Sequence, residues 1–522
     1  MNPKQLTTKW SRLHEDSLKA LQAQKFRRYL AQHVLPFSAY YRKLFEENHL
    51  RPEDFNTLAD LAKIPFTSKA DVGNTPENPQ RSRDFILIPD PKVLAKRPST
   101  IVRAVFTGKK RVQKALGREY RPIFMTSTTG RSADPVPFLY TGHDLDVLGV
   151  AGERMMELTA TPPEFRILNM FPYAPHLAFW QVHYAATVSG AFSLSTGGGK
   201  VMGTDGNIKM LRKINPDALI GMPTFLYHVL NQAVEEGDVK LDKLSRIVLG
   251  GEKAPEGMRR KLRELARQLG ASSVDVLATY GFTEAKLAFV ECPFPHDGPP
   301  SGYHLYPDYG IIEVIDPDTG EVVPDEQPGE IVYTSLDARG SAVIRYRTGD
   351  IIEGGITYKP CPHCHRAMPR LMGRISRQSN FMEMNIDKIK GTLVDFNELE
   401  NLLEDCEGLG SWQIELRKRN DDPLDTDEMI VHVQKSASAD ADQIENALME
   451  LFTQRLEIKP NRVDFHCAKE MQKLHGVGEQ LKELKVVDNR PKPDANGKDK
   501  DGDKVPAKVS DEVEEKEEED DS

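Results

Sequence analysis

The sequence predicts an α/β protein with a large N-terminal domain of mixed sheets covered by helices and a small α+β C-terminal domain. Three observations support this. From Ile123 to about Ile315, short apolar runs alternate with amphipathic helical stretches, the pattern of a mainly parallel sheet covered by helices. After Arg374 the pattern changes to shorter strand–turn–helix units. Beyond Pro491 apolar content almost vanishes. The expected boundaries are residues 1–373, 374–490 and a disordered acidic tail, 491–522.

Leu18 to Phe45 is rich in helix formers with apolar residues three and four apart, which predicts a helical pair ending near His49. Phe55–Ile64 predicts a short helix stopped by Pro65, and Thr67-Ser68-Lys69-Ala70-Asp71 a turn into another. Arg81–Arg121 is a markedly basic insertion, with Lys92, Arg97, Lys109, Lys110 and Arg111 among its cations. It is a solvated helical face or a surface for an anionic partner.

Ile167–Phe171, Ala218–Ile220, Ile247–Leu249 and Val274–Ala278 read as strands, separated by helices at Ile208–Ile214, Thr224–Glu236 and Gly257–Leu269. Ile311–Val314, Gly329–Thr334 and Ala342–Tyr346 read as later strands. In the small domain, Gly391–Cys406 reads as strand–turn–helix, Trp412–Leu416 and Met429–Val433 as strands, Ala439–Leu456 as a helix and Arg462–Cys467 as a strand.

Charge and composition exclude several functions. The 522 residues carry a formal net charge of −10. The tail from Pro491 holds six Lys against thirteen Asp or Glu, so the rest of the chain is close to neutral. That argues against a broad nucleic-acid surface, which needs a basic stripe to displace phosphate counterions. Met1–Trp10 has no apolar signal core, and no run approaches the ~20 apolar residues of a membrane span. A cytoplasmic protein is expected. Its five cysteines, Cys292, Cys361, Cys364, Cys406 and Cys467, are too few and too uneven for a disulfide framework.

Four motifs carry chemistry. Met125-Thr126-Ser127-Thr128-Thr129-Gly130-Arg131-Ser132 is a hydroxyl-rich loop whose donors suit a polyphosphate, although such a run alone also describes a linker. Val248-Leu249-Gly250-Gly251-Glu252 ends a strand in two glycines, which lets a flat ligand lie against the backbone. Thr279-Tyr280-Gly281-Phe282-Thr283-Glu284 offers a ring to stack on a base, a hydroxyl for a phosphate oxygen and a carboxylate for Mg2+. In Ile344-Arg345-Tyr346-Arg347-Thr348-Gly349-Asp350, a carboxylate after a glycine turn can accept both hydroxyls of a ribose. Each motif alone also fits a turn, a cap or a surface salt bridge.

Taken in this order, the motifs resemble the adenylate-forming superfamily of acyl-CoA synthetases, luciferases and peptide-synthetase adenylation domains. The stretch Phe26–Asp71, with its Pro65-Phe66-Thr67 turn, and Gly302–Glu321 are more closely similar to the phenylacetate–coenzyme A ligase family. The resemblance runs from Phe26 to Arg490, with the basic insertion divergent. It implies a large adenylate-forming domain and a mobile small one. The implied reaction has two halves: a carboxylate attacks the ATP α-phosphate and expels pyrophosphate, then the coenzyme A thiol attacks the acyl-adenylate.

The resemblance also implies site residues. Ser127, Thr128, Thr129 and Gly130 would hold the β- and γ-phosphates. Gly251 and Glu252 would line the adenine site, with Tyr280 and Gly281 against the ring. Thr283 would bind the α-phosphate, Glu284 would hold Mg2+, Asp350 would bind the ribose hydroxyls and Arg374 would contact the sugar. Lys482 in Lys482-Glu483-Leu484-Lys485-Val486-Val487-Asp488 would be the catalytic lysine, with Lys485 second. The expected substrates and cofactors are a carboxylic acid, ATP, Mg2+ and coenzyme A, and a homodimer is one expected assembly.

The chain departs from the family at Thr128, where glycine is usual, and at Arg131, where lysine is usual. Arg377-Gln378-Ser379-Asn380-Phe381 stands in place of a Gly-Arg-Ser-Asp-Asp hinge, which bears on the second half-reaction. Two rival readings therefore remain: transfer of the acyl group to a carrier protein or an amine, and a nucleotide-binding homologue without catalysis.

Cys361-Pro362-His363-Cys364 has the Cys-x2-Cys spacing of half a tetrahedral zinc site. Cys292 and His304 resemble the other half found in some family members, with His296 or His363 as substitutes. Such a zinc would be structural. The acyl pocket is expected near Phe171–His176 and Phe179-Trp180, where aromatic residues fit an aryl or other hydrophobic acid.

Overall fold

The computed structural model describes residues 11–128, 135–377, 381–386, 389–419, 427–435, 439–456, 460–480 and 483–490. Thr129, Gly130, Arg131 and Ser132 of the expected phosphate loop lie outside the described residues, as do Gln378, Ser379, Asn380, Lys482 and the acidic tail.

The large body is built on a nine-stranded sheet. Phe192–Ser195, Arg166–Asn169, Ala218–Gly221, Arg246–Leu249 and Asp275–Phe282 run parallel in that spatial order. Ala218–Gly221 and Arg246–Leu249 are buried at every position, because helices cover both faces of a parallel sheet. The chain then turns back, and Leu287–Val290 pairs antiparallel with Asp275–Phe282. A separate antiparallel sheet holds Gly310–Ile315, Gly329–Ser335, Tyr346–Ile352 and Ile375–Arg377.

The opening helices pack on this body. Ser38 interrupts them and caps Ala39–Glu47 by accepting from the Tyr41 amide at 3.2 Å. The Tyr41 hydroxyl in turn accepts from the Ile344 amide at 2.7 Å. The basic insertion forms three consecutive helices, Pro91–Lys96, Pro98–Thr107 and Lys109–Tyr120.

One expected strand is misplaced. Ala342–Tyr346 does not form a strand; the strand runs Tyr346–Ile352. Arg345 is the reason. Its φ of 46° turns the chain. Its guanidinium is buried over the Phe66 ring, paired with Glu313 and donating to the Ile64 carbonyl at 2.8 Å. The pull of that side chain into the core outweighs the strand propensity of the apolar run.

Residues after Phe396 form a second hydrophobic core. Its four-stranded sheet runs Arg462–Phe465, Asp427–Lys435, Leu409–Lys418 and Val486–Asp488, covered by Phe396–Asp405 and Ala441–Leu456. Trp412 sits in its centre. Polar contacts join the two bodies: Lys253 with Glu400 at 2.9 Å, and Lys261 with Glu404 at 3.2 Å.

Candidate active site

The motifs meet where the parallel strands end and the smaller antiparallel sheet begins. Thr279–Phe282 is the last part of the strand Asp275–Phe282, and Thr283–Ala285 is a 3-10 turn. Lys286 closes that turn at a φ of 58°. Its buried ammonium sits 3.4 Å from Asp144 and over the Tyr140 ring. Burial lowers the Lys286 pKa, and Asp144 opposes the shift. Asp144 also accepts from the Arg339 and Gly340 amides at 2.9 and 2.8 Å, so one carboxylate ties this turn to the second sheet.

Asp350 lies in the strand Tyr346–Ile352, directly after Gly349, whose φ of 71° is a left-handed turn that favours glycine. Tyr280 donates to Asp350 Oδ2 at 2.9 Å, and Arg377 reaches Asp350 Oδ1 at 2.8 Å. Both partners fix the carboxylate with its plane defined. Burial and the neighbouring Asp350 push the Tyr280 phenol well above its ordinary range, so it stays a donor.

Glu284 accepts from the Tyr346 hydroxyl at 2.7 Å. Burial raises the Glu284 pKa, while the Tyr346 bond and Arg377 pull it down. Glu284 and Asp350 therefore share one electrostatic neighbourhood, with Arg377 as the cation common to both.

Gly250 and Gly251 follow the strand Arg246–Leu249. A Cβ on Gly250 would lie 2.4 Å from Thr279 Oγ1, so glycine is required for the two motifs to touch. Gly251 has a φ of 81°. Glu252 turns away from the sheet and accepts from Thr224 Oγ1 at 2.9 Å. Arg374 does not join Asp350; it is exposed and pairs with Glu353 at 3.1 Å.

The described part of the phosphate loop is anchored. The Ser127 amide donates to the Pro175 carbonyl at 2.6 Å, and the Thr128 amide to the Val136 carbonyl at 3.1 Å. His176 Nδ1 lies 3.1 Å from the Ser127 carbonyl oxygen. This histidine therefore packs against the loop.

An apolar cavity of about 100 Å³ opens beside Gly251, Thr279 and Gly281. Met155, Phe171, Val182, Ala185 and Ile220 line it, with Gln181 among its few polar groups. Phe171, expected near the acyl pocket, lines this cavity. Trp180 does not line it and stacks edge-on against Phe124 and Phe179.

The family model for AMP-binding enzymes matches residues 147–337, which hold the Gly250–Glu252 and Thr279–Glu284 motifs. The chain is 28% identical over 364 residues to a phenylacetate-coenzyme A ligase of Aromatoleum evansii, covering 69% of this chain and 71% of that one. It is 27% identical over 410 residues to the phenylacetate-coenzyme A ligase of Escherichia coli strain K12, covering 77% and 80%. The chain thus carries an AMP-binding enzyme domain and is similar over most of its length to phenylacetate-coenzyme A ligases. Among solved structures, 2-hydroxyisobutyryl-CoA ligase in its postadenylation state shares the fold, with a TM-score of 0.69, 17% identity and 92% of each chain covered. The same ligase in its thioesterification state gives 0.59, 18% and 92%.

Three residues of the candidate site escape sequence reasoning. Arg377 sits in the stretch that departs from the family hinge, and only the pairing of Ile375–Arg377 with Tyr346–Ile352 brings it to Asp350. Tyr346 and Lys286 read as ordinary strand and turn residues. Lys485, the second choice for the catalytic lysine, has an evident packing role. It is buried, 2.5 Å from Glu404, with its ammonium 4.6 Å from the centre of the Trp412 ring.

The predicted zinc ligands come together. Cys292, His304, Cys361 and Cys364 each offer a ligand atom within 4.8 Å of the others. His304 Nδ1 contacts the Val290 carbonyl at 3.2 Å, which leaves Nε2 facing Cys364 Sγ at 3.2 Å. That is the orientation a metal-bound imidazole takes. His296 is exposed near Asp275, so it does not substitute.

Proposed function

We propose that the chain activates a compact hydrophobic carboxylic acid with ATP and passes the acyl group to coenzyme A, releasing AMP and pyrophosphate. The single observation that carries the nucleotide part is Asp350, fixed by Tyr280 and Arg377 beside Gly250–Gly251. A preset carboxylate next to a glycine-lined strand end can take both hydroxyls of a ribose while the purine lies on the backbone. Tyr280 holds the carboxylate by its hydroxyl as well as offering its ring.

The chemical difficulty is that an anion must approach a polyphosphate. Donors and cations fixed where charge grows act without reorganising during the reaction. Thr283 supplies a hydroxyl at the strand end, and Lys286 and Asp144 hold the turn that presents it. Ser127, Thr128, Thr129 and Gly130 would hold the outer phosphates, and Lys482 would supply the cation that leaves with the small body. Glu284 would hold Mg2+, which would neutralise phosphate charge. Its carboxylate is half-buried and accepts from the neutral Tyr346 hydroxyl, which fits a hard cation with oxygen ligands.

Acid choice follows from the cavity. Its volume and apolar walls favour a small aryl or branched acid over a long-chain fatty acid. Zinc at Cys292, His304, Cys361 and Cys364 would be structural, since three thiolates and one imidazole close a tetrahedral shell. It would pin the segment before Arg374 to the strands after Tyr280. Five cysteines with no disulfide suit the cytoplasm as its place of work. Acid-dependent exchange of pyrophosphate into ATP, followed by thioester formation on adding coenzyme A, tests the whole reading.

A further inference from the structure

Where the small body meets the helix Pro223–Glu236, three titratable side chains are buried together. His228 is 1% exposed, His475 0% and Glu483 6%. Each offers a ligand-type atom within 4.8 Å of the others. His228 Nε2 and His475 Nδ1 are 2.9 Å apart, and His475 Nε2 is 2.9 Å from the Trp412 carbonyl. A carbonyl only accepts, so His475 Nε2 carries a hydrogen. A neutral His475 must then accept at Nδ1, and His228 Nε2 must donate to it. His228 Nδ1 is thereby left as a bare acceptor, and it has no partner. The Glu483 carboxyl is buried beside the two histidines, with the Thr224 hydroxyl as a hydrogen-bonding neighbour. Held protonated, Glu483 brings a donor and no charge to within 4.8 Å of the histidine ligand nitrogens. An ionised carboxylate there would be a buried charge whose burial cost the Thr224 hydroxyl only partly offsets.

We propose that His228, His475 and Glu483 form one uncharged positioning unit that seats the segment carrying Lys482 against the large body. The inference rests on the reading that Lys482 serves adenylation, since Glu483 is its immediate neighbour in sequence. The unit is shared between bodies: His228 belongs to the large one, His475 and Glu483 to the small one. Close backbone packing beside it, with Gly478 N 3.3 Å from where a Cβ on Gly199 would sit, leaves little freedom once it forms.

Seating is then linked to protons. Glu483 faces Glu252 and Lys485, His228 faces His475 and Lys485, and His475 faces Lys485 and Glu404. Burial, reinforced by Glu252, raises Glu483 well above the ordinary carboxyl range. Burial and the neighbouring cations lower His228, and lower His475 to about 4. Below about pH 6.5 seating must release histidine protons, so it weakens as pH falls. Above that value only Glu483 differs, and seating must take up a proton. It therefore weakens about tenfold per pH unit until pH reaches the raised Glu483 value. Seating is tightest near pH 6.5.

Hydrogen–deuterium exchange of the full chain tests this, read on peptides covering 223–236 and 468–480 and corrected for intrinsic rates. In the wild type, protection should fall about tenfold per unit above pH 6.5. Glu483→Gln keeps a donor and cannot ionise, so its protection should hold constant over the same range. Glu483→Ala should lower kcat of pyrophosphate exchange about tenfold or more, with KM for ATP unchanged. An alkaline slope equal in Glu483→Gln and wild type would overturn the proposal. So would a zinc equivalent that Cys361→Ser retains and Glu483→Ala loses, which would make the trio a metal site. If the wild type catalyses no exchange at all, the functional reading fails, and the protection measurement still decides the seating role.

Discussion

Tyr280 and Asp350 lie 70 residues apart in sequence and meet in one hydrogen bond of 2.9 Å, with Arg377 on the other carboxylate oxygen. Two motifs that read separately as a stacking ring and a ribose acceptor are therefore one unit. Tyr280→Phe removes a single bond worth about 1 kcal/mol, so KM for ATP should rise roughly fivefold with kcat little changed. Asp350→Ala should lower kcat/KM for ATP by roughly 100-fold, because both ribose contacts and the anchor of Arg377 go together. Steady-state kinetics with varied ATP checks both values.

Glu284 gives a pH prediction. Burial raises its pKa, so activity that depends on its ionised form is lost as pH falls through that raised value. The Tyr346 hydroxyl lowers the pKa. Tyr346→Phe should therefore shift the acid limb of kcat/KM to higher pH, and raise the Mg2+ concentration needed for half-maximal rate. An unmoved acid limb would show that another group sets it.

Glu404 links the two bodies. Burial alone would raise its pKa, but Lys261 and Lys485 outweigh that and hold it at about 2. The stability it contributes is full above the unfolded carboxyl value, about 4.3, and is lost as pH falls from there to about 2. Glu404→Gln leaves the largely buried Lys261 and Lys485 ammonium groups without their nearest counter-charge and should cost about 3 kcal/mol in a urea titration. A cost below about 1 kcal/mol would mean that the lysines find other partners.

Zinc analysis of the purified protein should give one equivalent per chain. Cys361→Ser should lose it and lower the thermal midpoint, with the KM for ATP less affected than kcat. Full occupancy in Cys361→Ser would remove Cys361 from the ligand set.

The parallel core was legible in the sequence because strands buried on both faces must be short apolar runs, as at Arg246–Leu249. The glycines were legible because close approach leaves no alternative, as Gly250 against Thr279 shows. What could not be read was long-range pairing. Nothing local marks Arg377 as the partner of Asp350, or Lys286 as the partner of Asp144, since each pair forms only when elements distant in sequence are brought together. Arg345 misled in the opposite direction. Ala342–Tyr346 read as a strand from its apolar run, and the burial of Arg345 on Phe66 and Glu313 ended it. The trio of His228, His475 and Glu483 carries no spacing signal at all, because its members come from both bodies.

The most direct test is exchange of labelled pyrophosphate into ATP, run over aryl, short branched and long-chain fatty acids, with wild type beside Lys482→Ala. Exchange that depends on a compact aryl or branched acid, is lost in Lys482→Ala and gives a thioester once coenzyme A is added is the expected result. ATP binding with no exchange for any acid, or full exchange in Lys482→Ala, would contradict the assigned chemistry.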